Sequence, residues 1–165
     1  MNPSPGQIGF ARTKGIFGKI IRLGEFLKGR PGSQWNHAFV IGDKIIDGEP
    51  NVIQATIRGV TDTARLSDVA PGGKLKVVDL PSGVSPQLVL AFAKSQVGAS
   101  YGLLTILAIA TDTLTSNWVP AFQGSRKISW ICSALAAESL RCGGWIHNWV
   151  NVATVTPQMY ESLEG

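Results

Sequence analysis

The sequence predicts an α+β domain, and three observations carry that prediction. Between Gln34 and Leu80, short apolar runs alternate with period two and are separated by Gly-, Pro- and Asp-containing turns, as strands are. From Ser85 onward the apolar spacing lengthens to three and four, and helix caps appear. A block of strands followed by a block of helices, rather than strict strand–helix alternation, is the pattern of segregated layers. The chain has 165 residues, 44% of them hydrophobic and 16% charged, so a single globular domain over 1–165 with a real core is expected rather than a disordered chain.

Taken in order, Gln7 to Ala11 is a short apolar segment after a Pro/Gly start and reads as a strand. Gly15 to Leu27 carries Ile16, Phe17, Ile20, Ile21, Leu23, Phe26 and Leu27 at helical spacing, decorated by Lys14, Lys19, Arg22 and Lys28. Such a basic amphipathic helix can lie on a membrane, but a core-packed helix with a solvated face is its commoner meaning. After the loop at Gly29–Ser33, Gln34 to Ile41 is a strand with Trp35, His37, Phe39 and Ile41 on one face. Gly42-Asp43 reads as a tight turn, Lys44 to Ile46 as a second short strand, and Asp47 to Pro50 as another turn. Asn51 to Thr56 is a strand that sets Gln54 on a face with Val52 and Thr56, and Arg58-Gly59-Val60 turns out of it. Leu75 to Leu80 is a further strand after Pro71-Gly72-Gly73.

Ser85-Pro86 opens a helix with a cap and a proline at its first position. It should run to about Val97, facing Leu88, Val89 and Phe92 inward, with Gly98 as its stop. Tyr101 to Thr113 is nearly uncharged and predicts a buried helix, and Thr115 to Gly124 a loop. Ser129 to Gly144 reads as one short helix, N-capped by Ser129 and ended by Gly143. Trp145 to Val155 reads as an irregular strand, and Thr156-Pro157 starts a last short helix.

Composition narrows the function. A net charge of +4 and a pI near 9.3 suit anionic surroundings such as wall polymers, lipid headgroups or nucleic acid. The cations are scattered and not interleaved with aromatics, which speaks against nucleic acid. Cys132 and Cys142, ten positions apart on one helix, would be separated by about 15 Å, beyond disulfide reach. Two histidines with two cysteines at these spacings match no zinc pattern, and no metal or cofactor is expected. The first residues lack a charged region followed by an apolar run, so no signal peptide is expected. The most apolar stretch, Leu103 to Ala110, is far short of the ~20 residues of a membrane span.

Cys132 falls in the opening turn of its helix, where the dipole and free N–H groups favour an anion and lower a thiol pKa. Buried free cysteine is also common inert packing, and a lone strand histidine is commonly a hydrogen-bonded core residue. Three placements nevertheless fit one chemistry. Cys132 can attack as thiolate, His37 can hold its proton, and Gln54, a polar residue on an apolar strand, can fix the imidazole.

Several segments carry a resemblance. Pro5-Gly6-Gln7-Ile8-Gly9-Phe10, Asn36-His37-Ala38-Phe39-Val40-Ile41-Gly42-Asp43, Val52-Ile53-Gln54-Ala55 with Gly59-Val60, Gly98-Ala99-Ser100-Tyr101-Gly102, Ile131-Cys132-Ser133-Ala134-Leu135 and Val155-Thr156-Pro157 occur in that order. Together they resemble the circularly permuted branch of the NlpC-type papain-fold cysteine hydrolases, the YiiX-like proteins related to lecithin:retinol acyltransferase. In unpermuted relatives the cysteine helix precedes the histidine strand; here Cys132 follows His37 by 95 positions.

The resemblance implies a permuted papain-like domain, with a small antiparallel sheet packed against helices that include the nucleophile helix. It implies Cys132 as nucleophile, His37 as base and Gln54 as orienting group, with the Cys132 backbone N–H contributing to an oxyanion hole. Gln54 stands where relatives often carry glutamate. Tyr101, Trp35 and Asn36 are expected beside the substrate, and Cys142 and His147 are taken as structural. The implied function is thiol-dependent hydrolysis of a peptide bond in bacterial peptidoglycan. With no leader expected and no wall-binding repeats read, a phage enzyme associated with a virion tail, or released at lysis, is the expected setting. Lipid acyl hydrolysis or transfer is an alternative, and an inactive structural module of an assembly such as a phage tail is another.

Overall fold

The computed structural model describes residues 3–13, 35–101 and 129–145. Five strands form one sheet: β1 (Ile8–Arg12), β2 (His37–Ile46), β3 (Glu49–Thr56), β4 (Gly59–Arg65) and β5 (Lys74–Val78). Their order is β4-β3-β2-β1-β5, and every neighbouring pair is antiparallel. The described architecture is therefore α+β, with an antiparallel sheet and two helices, α1 (Pro86–Ser95) and α2 (Cys132–Cys142). A two-residue turn joins β2 to β3, with Ile46 opposite Glu49 and positive φ at both Asp47 (51°) and Gly48 (82°). That backbone twist matches the twist of the flanking strands.

One face of the sheet carries Ile8, Phe10, Ala38, Val40 and Ile53, which pack with Val89 and Ala93 of α1 and with Leu135 and Leu140 of α2. The other face carries Ala11, Phe39, Ile41 and Val52, joined by Val69 just after the short 3-10 turn at Leu66–Asp68. Helix α2 is buried along most of its length. Its alanines allow backbone to approach closely without costing helix propensity.

Several sequence expectations change. Gly42-Asp43 is no turn: β2 runs through it, with a register shift between Ile41 and Ile45. The buried Asn51 stabilises the irregularity, its Oδ1 accepting from the Lys44 N–H (2.9 Å) and its Nδ2 donating to the Asp62 carbonyl (2.8 Å). A side chain at Gly42 would collide with that carboxamide, at 2.0 Å from Oδ1. Gly59-Val60 begins β4, a strand the sequence reading passed over. Ser85 caps α1 as expected, accepting from the Leu88 N–H at 3.3 Å. The inward pair of α1 is Val89 and Ala93, whereas Leu88 is 55% exposed.

Ser129 does not cap α2. Ser129–Trp130 (β7) stays extended and pairs in parallel with Ser100–Tyr101 (β6), and Ile131 holds the cap position without a side-chain cap. Tyr101 is thus in a strand rather than at the start of a helix. Gly143 keeps a right-handed backbone and Gly144 takes the positive φ of 103°. Gly143 serves close packing instead, since a Cβ there would lie 2.5 Å from Val89. The expected helix at Gly15–Leu27, the rest of the Tyr101–Thr113 helix, the 115–124 loop, His147, the strand beyond Trp145 and the Thr156 helix lie outside the described residues. Among the described residues no helix is long and apolar enough to cross a membrane.

Candidate active site

The site forms where the first residue of β2 meets the first residue of α2. Cys132 opens the helix. The first helical hydrogen bond runs from Leu135 N–H to the Ile131 carbonyl (3.0 Å), so the amides of Cys132, Ser133 and Ala134 precede any intrahelical acceptor. The Ser133 amide points to the Cys132 sulfur, as does the amide of Ala38. Ala38 is available because the β2–β3 pairing ends at Val40 opposite Ile53, two positions short of it.

His37 is half-buried and forms a side-chain hydrogen bond with Cys132. Its Nε2–H donates to Gln54 Oε1 at 2.7 Å, which leaves Nδ1 for the thiol. Continuing the Val40–Ile53 register puts Gln54 opposite Phe39, so Gln54 reaches His37 as a diagonal cross-strand neighbour. The His37 ring also lies against Phe39, with ring centres 6.3 Å apart and planes 30° apart. The three residues singled out from the sequence as Cys132, His37 and Gln54 therefore stand together.

Their electrostatics follow from the contacts. Burial pushes the Cys132 thiol up, but the hydrogen bond and charge of His37, with the Ala38 and Ser133 amides, outweigh it and hold the thiol below its ordinary pKa. Burial pulls the His37 imidazolium down, but the hydrogen bond and charge of Cys132, with the acceptor of Gln54, leave the ring above its ordinary value. Each group favours the charged form of the other, which is the condition for a thiolate–imidazolium pair. Such a pair supplies a nucleophile and, beside it, a proton for a leaving group.

The structure places the three residues expected beside the substrate as follows. Trp35 is 6% exposed and packs in the helix-side cluster, its ring 6.4 Å from that of Phe10. The alternation that put it on the face of Phe39 and Ile41 fails, because Asn36 and His37 both stand opposite Ala11, as in a β-bulge. Asn36 is 2% exposed and spends its carboxamide on Thr13. Tyr101 is placed by backbone register beside Trp130, two residues before Cys132. The Ser133 amide is one of the free first-turn N–H groups expected around Cys132, whereas the Ala38 amide was not anticipated, since a backbone donor on a distant strand leaves no residue-type signal. Among the described residues no group of three or more His, Cys, Asp or Glu could hold a metal ion. The sequence matches no family model, and no curated protein shows significant similarity to it.

Proposed function

We propose that this protein is a thiol-dependent amide hydrolase with a Cys132–His37–Gln54 triad on a permuted papain-like domain, and that its substrate is a peptide bond of bacterial peptidoglycan. The observation that carries the reading is the chain of contacts from Cys132 through His37 to Gln54, with 2.7 Å between Nε2 and Oε1. The Cys132 thiolate attacks the scissile carbonyl carbon, and the carbonyl electrons move to oxygen, where the Cys132 N–H is the donor at hand. Collapse expels the amine, which takes its proton from the His37 imidazolium, and leaves a thioester on Cys132. His37, neutral again, takes a proton from water, whose oxygen attacks the thioester and releases the carboxylic acid and the thiol. Gln54 Oε1 accepts from Nε2–H throughout and holds the ring in plane.

The peptide substrate rests on the family resemblance, and the net charge of +4 suits an anionic wall polymer. A phage setting, in the virion or at lysis, belongs to the same reading. The test is mass analysis of purified peptidoglycan after digestion by the wild type and by Cys132→Ala. Wild type should release stem-peptide fragments with a new amine and carboxyl terminus, and Cys132→Ala should not. Unchanged peptidoglycan together with acyl release from lipid would move the reading to the acyl hydrolases. No turnover of either would leave a structural module.

A further inference from the structure

We propose that Asn36 is a positioning residue for the His37 ring, an inference that rests on the thiol–imidazole reading above. The Asn36 carboxamide acts as an extra rung between the end of β1 and the start of β2. Its Oδ1 accepts from the Thr13 N–H (2.8 Å) and the Thr13 hydroxyl (3.1 Å), and its Nδ2 donates to the Thr13 carbonyl (2.9 Å). Its own N–H donates to the Ala11 carbonyl (3.1 Å), while His37 is the register partner of the same Ala11. Two residues thus oppose one, and the clamp on Thr13 holds that offset in place.

The offset ends at His37: from Ala11–His37 onward β2 alternates regularly and keeps the ring on the face of Phe39, while the residues before it are turned. With strict alternation Trp35 and His37 would share a face. Trp35 is instead held in the helix-side cluster with Phe10, while His37 lies against Phe39 and bonds Gln54. Losing the clamp frees the backbone immediately before His37, so the strand end that carries the ring can shift against Ala11 and lengthen the ring's contacts with Gln54 and Cys132. Because Asn36 is buried and its carboxamide is engaged with Thr13 at both ends, its influence runs through His37 rather than through a substrate contact.

The experiment measures Cys132 alkylation by iodoacetamide against pH, by peptide mapping of the whole chain, with thermal unfolding recorded for each variant. His37→Ala should move the Cys132 profile to higher pH. Asn36→Ala should move it the same way, slowing labelling at pH 7 by roughly two- to ten-fold, the range for a lost hydrogen bond felt at the site. Thr13→Val removes only the hydroxyl that donates to Asn36 Oδ1 and adds no charge, so its profile should move the same way by less. If Asn36→Ala does not fold, Thr13→Val decides alone. A purely structural Asn36 would lower the unfolding temperature and leave the profile of the folded protein as in wild type; that result overturns the proposal. If His37→Ala itself keeps the wild-type profile, the thiol–imidazole reading fails and the positioning role goes with it.

Discussion

Helix α2 carries a free cysteine at each end, and the surroundings drive the two thiols in opposite directions. Burial raises the pKa of both and is the largest influence on each, so burial does not separate them. At the N-terminal end, His37 and two backbone amides more than offset burial. At the C-terminal end, the charge of Glu138 adds to burial, and Arg141, which is paired with Glu138, offsets only part of it. The helix dipole works in the same sense, favouring an anion at its start and opposing one at its end. Two identical side chains on one element thus differ because of what other elements bring to them.

The largest test of that difference is turnover. In the hydrolysis proposed above, Cys132→Ala should lower the rate by roughly a thousand-fold or more, as removal of a nucleophile does, while Cys142→Ala leaves it near wild type. Equal losses in both variants would erase the contrast.

Removing the group behind His37 should weaken the N-terminal end. Gln54→Ala frees the ring to rotate and strands its N–H, at about 1–3 kcal/mol, or roughly ten- to a hundred-fold in rate if felt in the transition state. Gln54→Glu preserves the acceptor and adds charge to the pair, so it should retain or raise activity. Turnover of both variants in the proposed reaction, with folding checked separately, is the measurement; a Gln54→Ala variant as fast as wild type would show that the ring is oriented by something else.

Reactivity sharpens the comparison without a substrate. A lowered thiol pKa means thiolate persists below the ordinary value of 9.0, and a raised one means it forms only above. Alkylation of Cys132 should therefore rise through a midpoint below pH 9.0 and that of Cys142 through one above it. At pH 7 Cys132 should label faster than Cys142, since a lower pKa leaves more thiolate at any pH beneath it. Peptide mapping after brief labelling reads both at once, and earlier labelling of Cys142 would reverse the assignment.

The smallest effect expected is on stability. Cys142→Ser, at a half-buried position, should stay within about 0.5 kcal/mol of wild type by denaturant unfolding. A larger loss would mean that the C-terminal thiol packs more tightly than its surroundings indicate.

Much of this was legible in the chain. Period-two runs marked the strands around His37 and Gln54, and Ser85-Pro86 marked the start of α1. Gly42-Asp43 misled, because glycine and aspartate carry the local signature of a turn while the acceptor that keeps β2 extended, Asn51, lies several residues away on β3. Ser129 misled in the same manner: its side chain suits a cap, but pairing of β7 with β6 keeps the chain extended through Ile131.

By itself the sequence determined which residue types were available and where each element lies, because propensity and periodicity act over a few neighbouring positions. It could place Cys132 near a helix start and His37 and Gln54 on strands. Only the tertiary structure decided that Cys132 is the first residue of α2, that a bulge against Ala11 takes Trp35 and His37 off a shared face, and that the Ala38 amide faces the sulfur. Those outcomes depend on contacts between distant segments, such as Asn36 with Thr13 and His37 with Gln54 and Cys132, and no local pattern encodes which distant partner a strand end will meet.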